Sequence, residues 1–266
     1  METELLRIDA LTKDFGGLRA INNLGLSVKE REIVALIGPN GSGKTTLFNL
    51  IVHLYDATSG HIFFGDPPID LARLPTHKIN ALGVARTFQT LRLFQNLTVV
   101  ENVLVGMSGR LRGGILNAVL QTRQTLREDA EAEAEALDLL SLFGHRLVSM
   151  YNEPAAALSY ANRRRLEIAR ALASRPKLLL LDEPAAGMNP TETREIMDDI
   201  GQIHARGCTV LLIEHDMGLV KGLAHRVIAI DHGTKIAEGT YQQVSSAPAV
   251  IEAYLGKGAQ AEVAAV

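Results

Sequence analysis

The residues whose types and spacing point most directly to chemistry form the glycine-rich run GPNGSGKT at 38–45, which fits the GxxxxGK[ST] pattern of a phosphate-binding loop. It follows an expected strand at 32–37 and precedes an expected helix, the context in which that pattern works. Glycines let the chain curl so that successive backbone N–H groups face one anion. Lys44 supplies a point charge to β- and γ-phosphates, Thr45 offers a hydroxyl to Mg²⁺, and the helix that begins there aims its positive end at the ligand. The expected nucleotide contacts are therefore Gly38, Pro39, Asn40, Gly41, Ser42, Gly43, Lys44, Thr45 and Thr46. A mere glycine turn is the alternative, and the strand and helix on either side argue against it.

A second constellation supplies acids and a base. The run LLLLDE at 178–183 has the character of a buried strand ending in two carboxylates, which places them at the carboxyl edge of a parallel sheet, where ligands sit in open α/β folds. Asp182 is expected to hold Mg²⁺ through its water shell. Glu183, one residue on and differently directed, is placed to orient or deprotonate an attacking water. The run VLLI at 210–213 brings Glu214 and His215 to the same edge, where the imidazole can hydrogen-bond a γ-phosphate; a satisfied core or surface histidine is the alternative. These residues specify a nucleotide hydrolase, with ATP as the expected nucleotide.

The elements that position them follow from patterning. Short β-like runs at 5–10, 24–28 and 61–64 surround the stronger one at 32–37, giving a mixed sheet that leads into an α/β core. After Leu97 the pattern turns helical, with Thr98 and Glu101 spaced as a capping box and a Glu-, Ala- and Leu-rich stretch through Leu142. Strand-like runs return at 177–181, 209–213 and 226–230, alternating with helical segments at 191–205 and 216–223, as parallel βαβ units do. The acidic cluster Glu128, Asp129, Glu131, Glu133 and Glu135 wraps around a helix rather than converging, and reads as a solvated face. Arg163, Arg164 and Arg165 point in different directions on a helix and read as an ordinary polar face.

Composition bounds the answer. At 266 residues, one large domain or a core plus a subdomain is expected, and 47% hydrophobic with 21% charged residues suits a folded globular chain. A net charge of −3 gives no global drive toward nucleic acid, so no nucleic-acid partner is expected. The single cysteine, Cys208, cannot form an intrachain disulfide, and the longest apolar runs fall short of the roughly 18 residues of a membrane span. The acidic start METE lacks the blocks of a secretory signal. A cytoplasmic protein is expected.

With these motifs in order, the chain resembles the ATPase subunit of ATP-binding-cassette (ABC) transporters over 5–255. The resemblance implies a P-loop NTPase, RecA-like mixed-sheet α/β core with an inserted α-helical subdomain. It divides the chain into core segments 1–94 and 175–240, a helical subdomain at about 95–174, a C-terminal extension at 241–255 and a flexible tail at 256–266. Gln89, in RTFQ at 86–89, looks like the family's Q-loop glutamine, implying catalytic and Mg²⁺-binding roles; His215 looks like its switch histidine. Phe15 sits where the family stacks an aromatic on adenine, with a core phenylalanine as the alternative. LSYAN at 158–162 occupies the place of the LSGGQ signature, so Ser159 is expected to reach the nucleotide bound by a partner subunit. Ala161 replaces a glycine there and Asn162 a glutamine; a methyl where backbone must approach phosphate, or where φ > 0 is needed, would weaken the closed dimer. AAGMNP at 185–190 resembles the D-loop, with Asn189 where Asp is commoner.

Finer similarity at 85–94, 165–173, 183–190 and 250–256 resembles the branched-chain amino acid importer branch, which also includes importers of amides and urea. That likeness implies ATP and Mg²⁺ as ligands and a second ATPase subunit as partner, a heterodimer being expected and a homodimer the alternative. It also implies two membrane-spanning permease subunits fed by an extracytoplasmic solute-binding protein, and a location on the cytoplasmic face of the plasma (inner) membrane. If the partner ATPase has an intact signature, the site built on Lys44 and Glu183 stays competent while the one completed by Ser159 and Ala161 is impaired. A non-transport ABC ATPase with a regulatory or assembly role is the alternative.

Overall fold

The computed structural model describes residues 3–110 and 123–255; the expected tail at 256–266 and part of the expected helical stretch through 142 lie outside them. The chain opens with a long hairpin, β1 (Glu4–Phe15) and β2 (Leu18–Lys29), and then enters β3 (Ile33–Ile37), the phosphate-loop run and α1 (Lys44–Ile51). Next come β4 (Ser59–Phe64), β5 (Ile69–Asp70), α2 (Thr76–Ala81) and β6 (Val84–Arg86). Helices α3 (Val99–Met107), α4 (Arg123–Ser141), α5 (His145–Val148) and α6 (Tyr160–Leu172) follow. The remainder is β7 (Leu178–Asp182), α7 (Pro190–Ala205), β8 (Thr209–Ile213), α8 (Met217–Leu223), β9 (Arg226–Asp231), β10 (Thr234–Gly239), α9 (Tyr241–Ser245) and α10 (Pro248–Leu255).

The expected mixed-sheet α/β core is present, with its strands divided between two sheets. Strands β2-β1-β4-β5 form an antiparallel sheet of their own, and β10-β9-β3-β8-β7-β6 form the second, parallel except for its edge strand β10. The apolar run ends at Ala10, yet β1 continues to Phe15: Ala10 (φ 48) lies where the pairing with β2 shifts register between Ile8 and Leu11, and Asn23 (φ 49) lies on β2 where it shifts again between Leu11 and Lys13. Such irregularities break the alternation without breaking the strand.

The six-stranded sheet is buried on both faces, and the alternation of its side chains divides the interior. Ile33, Ala35, Ile37, Leu179, Leu181, Val210 and Leu212 face one hydrophobic cluster, shared with α3, α4, α6 and α7. Val34, Leu36, Leu178, Leu180, Leu211 and Ile213 face the other, shared with α1 and the antiparallel sheet. Continuous apolar strands are what a parallel sheet covered on both sides requires. Registers pair Asp182 with Ile213 and Leu36 with both Ile213 and Ile228, so the carboxyl ends of β3, β7 and β8 finish at one edge.

Helix α3 starts at the expected capping box, the Thr98 hydroxyl accepting the Glu101 N–H while the Glu101 carboxylate accepts the Thr98 N–H. Helix α4 buries Ala132, Ala136 and Leu140, one face at four-residue spacing. Asp129, Glu131 and Glu133 are exposed, but Glu135 is not simply solvated, because it pairs with Arg110 and Arg175. No helix among the described residues is long and apolar enough to cross a membrane.

Candidate nucleotide site

The loop between β3 and α1 owes its path to two glycines. At Gly38 (φ +153) an added Cβ would lie 2.1 Å from the Ile230 carbonyl oxygen, and at Gly43 (φ +105) it would lie 2.6 Å from that of Ala20. Backbone is on the other side in both cases, so nothing can give way. Gly43 is also the N-cap of α1 and provides no side-chain cap, which leaves that helix end open to an external acceptor. Lys44, 6% exposed, curls back so that Nζ donates to the carbonyls of Gly38 (2.7 Å) and Pro39 (2.8 Å), with the Ser42 hydroxyl at 3.4 Å. Burial lowers its pKa, while the nearby charges of Glu183 and Asp182 pull the other way. One cation, two carboxylates and an open helix end thus meet beneath a loop of turned-in backbone.

Asp182 ends β7 fully buried. Its Oδ2 accepts from Arg86 at 2.9 Å, whereas Oδ1 has no hydrogen-bond partner. Burial raises its pKa, and Arg86 opposes that rise without cancelling it. Arg86 lies between the rings of Phe48 and Phe88 and also donates to Asn49 Oδ1 at 2.6 Å.

Immediately after the strand the backbone turns left-handed at Glu183 (φ 50), aiming its carboxylate away from Asp182. Gln89 Nε2 donates to Glu183 Oε2 at 3.1 Å, and His215 Nε2 lies 3.0 Å from Oε1. The three residues expected to share the chemistry are therefore joined through Glu183, one from each of three loops at the sheet edge. A carboxylate held on both sides is oriented to accept a proton from a water placed before it.

Phe15 lies at the end of β1, half-exposed, edge-to-face with Tyr55 at 5.3 Å and with the Lys13 ammonium 4.8 Å from its ring centroid. It is not a core phenylalanine. The hairpin that carries it is the one whose Ala20 carbonyl abuts Gly43.

These arrangements have known counterparts. Residues 21–186 match the family described as ABC transporter. The chain belongs to that family. Residues 234–260 match a second description, branched-chain amino acid ATP-binding cassette transporter. The chain is 43% identical to LivG of Salmonella typhimurium, named a high-affinity branched-chain amino acid transport ATP-binding protein, over 97% of this chain and 100% of the relative. It is 42% identical to BraF of Pseudomonas aeruginosa, which bears the same description, over the same shares. A nucleotide-free ATP-binding cassette from an ABC transporter superposes with a TM-score of 0.82 at 31% identity, covering 96% of this chain and 100% of the other. The ADP conformation of a cassette gives 0.82 at 32% identity with the same coverage. As an ABC ATPase the chain binds nucleotide and hydrolyses ATP in support of transport.

In this cassette Ser159 is the N-cap of α6, its hydroxyl accepting the Asn162 N–H at 3.4 Å, and it makes no hydrogen bond with the chain's own phosphate loop. Ala161 is 3% exposed and helical, so the left-handed backbone considered for it is not used. Asn189 caps α7, its Oδ1 accepting from Thr191 and Glu192, work an Asn oxygen performs as well as an Asp oxygen.

The arginine run is not an ordinary polar face. Arg164 and Arg165 are 0% and 1% exposed, because each has buried acceptors. Arg165 donates to Asp199 (2.8 Å), Glu195 (3.0 Å) and Asn162 (3.1 Å), binding α6 to α7, and Arg163 bonds the Leu158 and Ala156 carbonyls.

Glu214, which the sequence places at the sheet edge without a role, has one. It is 3% exposed and accepts from the N–H groups of Ala185 (2.9 Å), His215 (3.0 Å) and Asp216 (3.4 Å), tying the loop after β8 to the loop after β7. Burial raises its pKa against those three bonds. Its signal was an acid directly preceding the expected catalytic histidine at a strand end.

The residues expected to hold Mg²⁺ offer the donor type a hard divalent cation takes. The orphaned Asp182 Oδ1, the exposed Thr45 hydroxyl and the Gln89 amide oxygen are all oxygens, and a site with so few protein ligands suits an ion that keeps waters and phosphate oxygens in its shell.

Proposed function

We propose that this chain is the ATP-hydrolysing subunit of a branched-chain amino acid importer. The observation that carries the site reading is the Glu183 carboxylate held between Gln89 and His215 beside the Lys44 loop. In this reading the loop residues 38–46 hold the phosphates, Phe15 stacks on adenine, and Glu183 takes a proton from the attacking water while His215 and Gln89 orient it. Thr45, Asp182 and Gln89 hold Mg²⁺, which when bound neutralises charge on the phosphates. Ser159, exposed at the start of α6, serves the nucleotide of a second ATPase subunit. The match over residues 234–260 and the names of the relatives support the solute class.

The permease contact is assigned to a groove of about 930 Å³ running from the Gln89 loop to the inserted helices, with Phe88, Arg92, Phe94, Val105 and Arg170 among its walls. Phe94 is 51% exposed there. A segment seated in it touches the loop that carries Gln89, which gives solute binding outside a mechanical route to Glu183. Two permease subunits, fed by an extracytoplasmic solute-binding protein, then place the chain on the cytoplasmic face of the membrane.

The test is affinity isolation of the chain from gently solubilised native membranes with mass-spectrometric identification of what is retained. The expected result is two polytopic proteins and a second ATPase. Recovery of this chain alone, or with only non-membrane proteins, would overturn the transport assignment.

A further inference from the structure

The loop that carries Gln89 has little backbone support of its own, since residues 87–97 contain neither strand nor helix. It is held from α6. Arg164 NH1 donates to the Phe88 carbonyl at 2.6 Å and NH2 donates to the Gln89 carbonyl at 3.0 Å, so one planar guanidinium spans two successive peptide oxygens. The same NH1 pairs with Glu167 Oε2 at 2.9 Å, one turn further along α6, and Glu167 Oε1 accepts the Arg92 N–H at 3.4 Å. Arg92 in turn lies 4.1 Å over the Phe88 ring.

The loop is thus gripped at residues 88, 89 and 92 by two side chains of one helix, the helix that begins at Ser159. Both are out of water, Arg164 at 0% and Glu167 at 1% exposure, and the Arg164 Nε has no hydrogen-bond partner. A buried ion pair with an orphaned donor adds little net stability. What it adds is placement, and a forked donor fixes two acceptors where a lysine ammonium, a point charge, cannot.

We propose that Arg164 is a positioning residue for ATP hydrolysis: it locks the Gln89 backbone to α6, so that the Gln89 side chain is presented to Glu183 only while α6 is in register with the sheet edge. The serine expected to meet the partner's nucleotide and the glutamine that holds this chain's own Glu183 then move as one body. Arg164 touches neither nucleotide nor reacting water, and acts through Gln89.

The proposal rests on the site reading above, and a double-mutant cycle on full-length chain in its assembled complex separates the two. Arg164→Lys in the native background is expected to lower kcat about 10-fold with the KM for ATP changed less than about 2-fold, the pattern of a lost transition-state contact. In a Gln89→Ala background, where kcat is already low, the same change is expected to do almost nothing, because the two residues act on one contact. Equal losses in both backgrounds would overturn the role of Arg164 and leave the site reading intact. Wild-type turnover from Gln89→Ala alone would overturn the site reading and the proposal with it. Hydrogen exchange supplies a readout that a general structural role would not produce: amides at 88–92 are expected to exchange about 10-fold faster in Arg164→Lys while those of β3 and β7 stay unchanged. Uniformly faster exchange, or none, would count against the proposal. If Arg164→Lys does not fold, Arg164→Gln, which keeps one planar donor for one carbonyl, enters the same cycle with the same expectations.

Discussion

Glu183 takes a left-handed backbone conformation that costs a non-glycine residue about 1–3 kcal/mol. The turn separates two adjacent carboxylates, sending Asp182 toward Arg86 and Glu183 toward Gln89 and His215. Glu183→Gln keeps the shape and one hydrogen-bonding oxygen but cannot accept the water's proton. Turnover is expected to fall about 10²–10⁴-fold, the usual share of a general base, while ATP affinity stays within about 3-fold. Phosphate-release rates set beside equilibrium nucleotide binding would decide, and wild-type turnover would remove Glu183 from the mechanism. Residues with motif spacing were legible because their chemistry is local to a few positions of the chain. Arg86, Arg164 and Glu214 were not, because a charged residue inside a helix or at a strand end looks solvated until the elements that bury it are assembled. Ala161 illustrates the same limit from the opposite side. Its methyl is buried within its own subunit on a helical backbone, so Ala161→Gly is expected to leave turnover of the complex within about 2-fold and to cost about 1 kcal/mol in helix stability. A several-fold gain in turnover would instead restore the view that the signature is impaired.

In whole elements, intrinsic propensity and tertiary contact can oppose one another. Gly106, in α3, is a poor helix former by about 1 kcal/mol relative to Ala. Yet a Cβ there would lie 2.2 Å from the Arg170 carbonyl and 2.9 Å from the Ala173 Cβ, so its absence lets α3 press against the end of α6. Gly201, in α7, has open space around the corresponding position. Gly201→Ala is therefore expected to raise the melting temperature by about 2–4 °C, the shift worth 1 kcal/mol in a domain of this size. Gly106→Ala is expected to lower it by at least that much, because overpacking against backbone costs about 1–3 kcal/mol. Two stabilised proteins would mean that α3 can move off α6 freely. Element existence was legible wherever one period dominates, as in the fully apolar strands β3, β7 and β8 and the capped start of α3. The separation into two sheets was not, because successive irregularities at Ala10 on β1 and Asn23 on β2 erase the alternation that marks a long strand, and strand partnership is a property of register rather than of any one run.

On the scale of the whole molecule, net charge and composition exclude more than they identify, since a charge of −3 spread over a folded chain selects no partner. On the proposed function, the groove selects one by its character. Aromatic Phe88 and Phe94 lie among cations, with Arg92 over the Phe88 ring and Arg170 5.8 Å from the Phe94 ring, which suits a short apolar segment with an acidic or carbonyl-rich end. Phe94 itself is held by Asn102, whose Oδ1 accepts the Phe94 N–H and whose Nδ2 donates to the Phe94 carbonyl, so the ring is presented from a fixed backbone. Phe94→Asp leaves that backbone bonding intact while placing a charge where the occupant's apolar surface would rest. Its melting temperature is expected to stay within about 2 °C of the native protein, as for a substitution at an exposed position. Recovery of polytopic partners from solubilised membranes is expected to drop at least about 10-fold, which corresponds to about 1.4 kcal/mol of lost contact. Leu18→Asp, at a 68% exposed position that begins β2 outside the groove, serves as the control and is expected to retain the partners. Equal recovery from both variants would move the permease contact away from Phe94, and with it the route by which an external solute reaches Gln89 and Glu183.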